Sequence, residues 1–448
     1  MNIKTTLFSI LLMFGISAIA QDKEPLTDSL NKREDSTLPQ TYILSLEDAK
    51  TLALEYNWDL KKVGLSIDEA HEATWEAIAQ GLPQLGATVD YTTFFGASNT
   101  IDFGGGASSK IEFNNTSNFN ATASQLLFSG AYIVGVQTAK LYEELLDKSA
   151  EKTELDIKQQ VADAYYAILL SERSKQILEQ NLENVKKLNR QTEIMYKAGV
   201  AELTDVDQLA IQATSLESSL RSTKRQISIA YDLLKLQIGI NPTSEVQLTQ
   251  GLDDFFDPDN FYAALIKVFN INENIDYQLL LQQEGITEKQ VKLAKSEYLP
   301  TLSARYNYLK QIVAPNFNMN PNHTLMFNLN IPIFSSGLRK AKVNQAKLQL
   351  ESLQNDKYKL NDALLSQDRT IKANLKTALD QYDAQKKNVD VAKRVFGNIN
   401  RKYDAGMMSS LDLTTANTNY LNAESSYIQS MLDVLKAYIE LERFYNNI

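Results

Sequence analysis

The sequence predicts a mainly α-helical chain with a small β part, in which long coiled-coil helices carry four short extended segments. Three observations carry that prediction. The chain repeats itself at an offset near 207 residues: Tyr196-Lys197-Ala198-Gly199 recurs as Tyr403-Asp404-Ala405-Gly406, Asp205-Val206 as Asp412-Leu413, and Phe128-Ser129-Gly130 as Phe334-Ser335-Ser336-Gly337. Each half holds a sustained 3,4 spacing. Val206, Leu209, Ala213, Leu216, Leu220, Thr223, Ile227, Ala230 and Leu234 form one series, and Leu413, Ala416, Tyr420, Ala423, Tyr427, Ser430, Val434, Ala437 and Leu441 the other. A 3.5-residue repeat of this length means helices packed as coiled coils, and the many small and hydroxyl residues in it favour close multi-helix packing over a two-stranded zipper. Finally, 448 residues contain only 17 Gly and 9 Pro, which suits long uninterrupted elements.

The elements follow in order. Residues 1–20 read as a signal peptide, with Lys4 as the basic start, an apolar run from Leu7 to Ile19, and Ala18-Ile19-Ala20 as the small-x-small cleavage pattern. Residues 21–44, polar and containing Pro25 and Pro39, read as a flexible leader. The first repeat takes residues 45–239, an inter-repeat linker 240–258, and the second repeat 259–448. In the first repeat a helix from Leu46 to Gln80 stops at Gly81 and Pro83. Two extended segments follow, then a long helix from Ala131 to Ala198 capped by Gly199, then a shorter one from Asp205 to Ile238 capped by Gly239. The second repeat restates the plan as Asp259–Glu297, Gly337–Ala405 and Asp412–Asn446. The long helix would span about 100 Å. Two half-length helices placed end to end can cover it, which points to a long hollow bundle.

The extended segments alternate. Leu325, Phe327, Leu329, Ile331 and Ile333 interleave with Thr324, Met326, Asn328, Asn330 and Pro332, and Leu302, Ala304, Tyr306 and Tyr308 with Ser303, Arg305 and Asn307. In the first repeat Leu85, Ala87, Val89 and Tyr91 alternate with Gly86, Thr88, Asp90 and Thr92, and Phe119, Ala121, Ala123 and Leu127 with polar neighbours. Segments of about ten residues with this pattern match transmembrane β-strands. A soluble hairpin has the same pattern; the signal peptide and the long helices favour the membrane. Four strands cannot close a barrel, the smallest having about eight, and open edges are not tolerated in lipid. Several chains must then contribute, and the sequence permits two, three or more. Residues 98–115 and 314–322 are expected as surface loops, with Gly104-Gly105-Gly106 lacking the Lys and strand–helix context of a phosphate loop. Gly130 and Gly337 are expected to turn strand into helix. Beyond Gln21 no run of 18 apolar residues exists, so an α-helical span is excluded.

Composition excludes several functions. There is no cysteine, and the two histidines are His71 and His323. Disulfides, thiolate chemistry, a lipidated cysteine and most zinc or haem sites are thereby removed. A net charge of −10 argues against a nucleic-acid partner. No arrangement suggests catalysis, a metal or a cofactor. His71, beside Glu69 and Glu72, reads as a solvated helix residue and His323 as a loop residue. Asp253, Asp254, Asp257 and Asp259 read as a turn with helix caps rather than a calcium site.

Taken together, the order and doubling of these motifs resemble the TolC-type outer-membrane efflux protein family over essentially the whole mature chain. Ser45-Leu46-Glu47-Asp48-Ala49, both Leu-Pro strand entries (Leu82-Pro83, Leu299-Pro300), Ile331-Pro332-Ile333-Phe334-Ser335-Ser336-Gly337 and the two Tyr-x-Ala-Gly tips carry the resemblance. It implies a homotrimer with a shared twelve-stranded barrel in outer-membrane lipid and an α-helical tunnel across the periplasm. A periplasmic adaptor and an inner-membrane pump are the implied partners, with drugs, metals or proteins as cargo. It also implies a closed end at the helix tips. There Tyr403 matches the latch tyrosine, Thr204 and Asp205 the first-repeat latch pair, and Asp412 the first acid of a pore constriction. Tyr196, Gly199 and Gly406 lie at the tips that meet the adaptor. The family's latch arginine is Met408 here and its second acid is Thr415, which departs from the pattern. Helix capping alone would also explain Asp205 and Asp412. The rival reading is a periplasmic coiled-coil scaffold or adaptor without a pore.

Overall fold

The computed structural model describes residues 41–102, 108–313 and 320–448. The signal peptide, most of the leader and Gly104 to Gly106 lie outside the described residues. The described chain is mostly helical and divides into two compact units. One comprises residues up to Asn57 with 160–257 and 380–436; the other comprises 58–159, 258–379 and 437–448.

The first unit begins with β1 (Thr41–Leu44) and α1 (Leu46–Tyr56). Residues 41–44, expected within a flexible leader, are a strand. β1 pairs in parallel with β6 (Glu245–Leu248), which lies in the inter-repeat linker. Leu44 is buried, and its carbonyl accepts from Thr249 N at 3.1 Å and Tyr165 Oη at 3.2 Å. Burial raises the Tyr165 phenol above its ordinary range. Ser45 and Asp48 form a reciprocal capping box that starts α1. The rest of the unit is the C-terminal part of α3 (Gly130–Lys197), all of α4 (Leu203–Ile238), the C-terminal part of α7 (Leu338–Asp404) and most of α8 (Ser410–Phe444). Leu182, Val185, Leu209, Ala213 and Leu216 form a buried cluster between α3 and α4, and Leu421 of α8 packs against it. The 3,4 series behaves as a seam, with Leu209, Ala213, Leu216, Thr223 and Leu234 buried in α4 and Leu413, Ala416, Ser430 and Val434 in α8.

The second unit holds the sheet. α2 (Trp58–Ala79) leads to β2 (Gln84–Thr92), then a small hairpin of β3 (Ser98–Asp102) and β4 (Ser108–Glu112), then β5 (Thr116–Ser129) running straight into α3. The hairpin stands where a loop was expected. After α5 (Pro258–Ile266) and α6 (Ile275–Ser296) come β7 (Thr301–Val313) and β8 (His323–Asn330), followed by the first part of α7. Ile331 and Ile333, expected in the last strand, lie beyond its end. Four strands form one antiparallel sheet in the order β2-β5-β7-β8. The register places Leu85, Ala87 and Val89 opposite Ala123, Ala121 and Phe119, and Tyr306 opposite both Ala123 and Leu325. The expected alternation is in phase across the four strands except at Leu127, where a bulge sets Phe128 instead opposite Leu302; one face is apolar and the other rich in Thr and Asn. On the polar face Thr122 bonds Asn307 at 3.0 Å and Asn120 bonds Asp90 at 3.1 Å.

The helices expected as continuous from Leu46 to Gln80 and from Asp259 to Glu297 are both broken, and for the same reason. In the first unit Asn57 leaves helical geometry, and its side-chain amide donates to the carbonyl of Gln237 near the end of α4 at 2.6 Å. In the second, Asn274 caps α6 and donates to the carbonyl of Phe444 at the end of α8 at 3.1 Å. Phe444 is Gln237 moved by one repeat. Helix ends leave carbonyls without intrahelical partners, and a buried end needs donors from elsewhere. Gly239 follows α4 with φ +84, and a Cβ there would overlap the carbonyl of Tyr56, so only glycine fits. Its repeat mate is Asn446, also left-handed at φ 58.

Candidate functional site

The residues singled out from the sequence cluster at the two helix turns of the first unit. The α3–α4 turn closes with Gly199 at φ +76 and the α7–α8 turn with Gly406 at φ +71. Both end their long helix in the left-handed conformation that glycine adopts without a Cβ penalty. In the first turn Glu202 N donates to Asp205 Oδ2 at 3.2 Å, and the Thr204 hydroxyl donates to Glu202 at 3.1 Å. In the second turn Ser409 N and Oγ both donate to Asp412 Oδ2, at 3.2 and 2.7 Å, while Asp412 N donates back to Ser409 Oγ at 3.2 Å. Both aspartates thus cap their helices. The Ser409 hydroxyl, followed by its backbone N–H, holds the Asp412 carboxyl below the usual carboxylate range, so it is ionised at neutral pH.

Two bonds tie the repeats together at these tips. Tyr403 is buried, and its hydroxyl bonds Thr192 Oγ1 at 2.7 Å; Thr192 is fully buried and also donates to Leu188 O. The hydroxyl of Ser410, buried at the start of α8, donates to Asp205 Oδ1. Tyr403 therefore meets Thr192 rather than Thr204 or Asp205, and Asp205 meets Ser410. Thr192 and Ser410 were missed because neither lies in a repeated motif. Serine at a helix start reads only as a cap, and threonine on a heptad face only as packing. Tyr196, the repeat mate of Tyr403, is instead 41% exposed. Met408 is half-buried and Thr415 exposed.

A cavity of about 260 Å³ lies near the turns, lined by polar groups including Asn184, Gln191, Asn400, Asp404, Thr414 and Asn417. The Thr414 hydroxyl and the Asn417 amide nitrogen are buried with no protein partner. A polar interior at this level weakens the coiled-coil seam and leaves room for water.

Away from the tips, the two strand–helix glycines serve different needs. A Cβ on Gly130 would stand 2.6 Å from Leu299 Cδ1 and 3.1 Å from Ser296 Cβ, so a larger residue there would push the Leu299 side chain aside. Gly337 has open space and is needed for its φ of +86. His71 is exposed, as expected for a solvated helix residue, and it also bonds Glu143 at 3.0 Å and holds that carboxyl below its ordinary range. His323, expected in a loop, opens β8 and sits against Tyr306 and Tyr308. In the acidic linker Asp254 accepts from Gly251 N at 2.7 Å. Among the described residues no three His, Cys, Asp or Glu are grouped so as to hold a metal ion.

Comparison with known proteins agrees with this architecture. The profile of the family described as "Outer membrane efflux protein" matches residues 51–239 and 282–447, so both repeats are covered. The outer membrane protein TolC of Vibrio cholerae serotype O1 is 22% identical over 411 residues, covering 88% of this chain and 90% of that protein. Among solved structures, the Campylobacter jejuni CmeC outer membrane channel aligns with a TM-score of 0.72 at 18% identity, over 90% of this chain and 85% of that one. The open state of the Neisseria gonorrhoeae MtrE outer membrane channel aligns at 0.70 and 17% identity, over 90% and 88%. These likenesses establish the fold.

Proposed function

Because this chain belongs to the outer membrane efflux protein family, we propose that it is one subunit of a trimeric exit duct through which cargo leaves the cell by passive conduction. It is an outer-membrane protein with its helical part in the periplasm. The single observation that carries the reading is the sheet. Its apolar face is uncovered, with Leu85 at 84%, Leu325 at 63% and Phe327 at 64% exposure, and β2 and β8 leave open edges among the described residues. Such a sheet is unstable in water and, with open edges, equally so in lipid. Three copies supply twelve strands and close it. Aromatic groups gather at both ends of the strands, Tyr91, Phe94, Phe95 and Phe113 at one and Tyr298, Phe128 and Phe334 at the other. That distribution suits the two interfaces of a membrane barrel.

In this reading the cargo is chosen outside this chain. A periplasmic adaptor and an inner-membrane pump would select and energise it, with the adaptor meeting the tips around Tyr196, Gly199 and Gly406. Three exposed Asp412 carboxylates near the axis would form a ring that favours cations. Single-channel currents in planar bilayers test this. The mature protein should give discrete cation-preferring openings, and Asp412→Asn should weaken the preference. Openings of unchanged selectivity would move the constriction elsewhere. Folded, membrane-inserted protein without openings would return the reading to a scaffold.

A further inference from the structure

The contacts that tie the two repeats within one chain have a direction. Thr192 of α3 bonds Tyr403 of α7, Ser410 of α8 bonds Asp205 of α4, and Leu421 of α8 packs against the α3–α4 cluster. Moved by one repeat of 207 residues, the first pair becomes Ile399 of α7 and Tyr196 of α3. The second becomes Leu203 of α4 and Asp412 of α8, and Leu421 becomes Thr214 of α4. These positions are left open within the chain. Tyr196, Leu203, Asp412 and Thr214 are exposed, and Ile399 is only half-buried. Ile211, three residues before Thr214 on the same helix face, is an apolar side chain at 70% exposure. Tyr196 makes no side-chain hydrogen bond among the described residues.

In a closed ring of identical copies each first repeat has a second repeat on either side, one from its own chain and one from a neighbour. We propose that these residues form the copy-to-copy contact at the helix tips. The Tyr196 ring of one copy packs on Ile399 of the next, and the Ile211–Thr214 face of α4 covers that neighbour's α7–α8 pair. The geometry transfers from the within-chain boundary, but the chemistry changes. Isoleucine stands where Thr192 offers a hydroxyl, and Leu203 stands where Ser410 does, and neither can donate or accept a hydrogen bond. At these positions the boundary between copies is therefore held by apolar contact, where the matching positions within a chain are joined by hydrogen bonds. The Tyr196 hydroxyl stays in water, and Asp412 is left free of a cross-repeat partner.

This rests on the ring reading of the previous section, and the test separates the two. The chain is free of cysteine, so Tyr196→Cys with Ile399→Cys can be joined selectively. A contact through two long side chains leaves the backbones too far apart for a direct disulfide, so a short bis-methanethiosulfonate linker is used on detergent-purified full-length mature protein. Thr192→Cys with Tyr403→Cys is the within-chain control, and light scattering reports the oligomer. The expected result is reducible bands of two and three chains for the 196/399 pair, absent from either single variant, with the control linking only within one chain. Ile211→Glu should shift the oligomer toward monomer without loss of helicity. Tyr196→Phe should leave the oligomer intact, whereas dissociation by that variant would overturn the apolar character of the contact. An intact oligomer in which the control links and the 196/399 pair does not would overturn the contact alone. A monomer by light scattering would overturn the ring, and the contact with it.

Discussion

The helices α4 and α8 are the same helix written twice, and they differ on the side away from their shared seam. In α8, Ile428, Met431, Leu432 and Leu435 are all buried. Their repeat mates in α4 are Arg221, Lys224, Arg225 and Ser228, all exposed. Conversely, α4 exposes Ile229, Leu233 and Leu236 where α8 carries Lys436, Glu440 and Arg443. The inter-repeat linker explains the first half of the contrast. Leu252 shares a cleft with Ile428 and Met431, and Phe256 stacks on Tyr382, which in turn meets Tyr427. A duplicated chain has two repeats but only one linker between them, so only one of the two helices gains this cover. Duplication therefore preserves the face that meets the repeat's own partner helix and frees the other face to follow whatever lies outside it.

The largest break in that comparison should come from Leu435. Leu435→Ala removes a side chain that is 1% exposed and should cost about 2–5 kcal/mol, read as a lowered unfolding midpoint by circular dichroism in detergent. Its mate Ser228→Ala should stay within about 0.5 kcal/mol. Equal effects at the two positions would mean that the second face of α8 is not a packed surface. Next in size are the two helix breaks, where the repeats agree. Asn57→Ala and Asn274→Ala each leave a terminal carbonyl without its donor and should each cost about 1–3 kcal/mol. A large loss at one and none at the other would show that the two breaks only look alike.

The smallest effect sharpens the contrast at the helix starts. Asp205 holds Ser410, whereas Asp412 is held only by Ser409 in its own turn. Because the Asp412 pKa is lowered on folding, the stabilisation of its cap is complete above the ordinary aspartate value of about 3.9. It is lost only as pH falls through the lowered value. Cation preference should accordingly be the same at pH 7 and about pH 4.5, and decline only below the usual carboxylate range. A decline that begins near neutrality would assign the selectivity to another group.

Much of the fold was legible because it rests on periodicity. The 3,4 series located α4 and α8, the offset of 207 residues paired the halves, and two-residue alternation found all four strands of the sheet, in phase apart from the bulge at Leu127. The tip glycines were equally readable, since a glycine after a long apolar repeat signals a left-handed cap. The breaks at Asn57 and Asn274 were not, because each depends on a carbonyl 180 or 170 residues away, and no local propensity encodes such a partner. Nor was β1, which is a strand only because β6 lies beside it.

At the candidate site the division is the same. Chain chemistry by itself determined that Tyr403, Asp205 and Asp412 stand at helix turns, that both acids can cap a helix, and that the chain holds no thiol. Only the tertiary structure decided that Tyr403 binds Thr192, that the Ser410 hydroxyl donates a hydrogen bond to Asp205, and that Tyr196 and Asp412 are left exposed. The physical reason is that a cap or a heptad is a relation over three or four residues, fixed by backbone geometry. A bond between repeats, by contrast, spans some 205 to 211 residues and exists only once two separately formed helix pairs have packed.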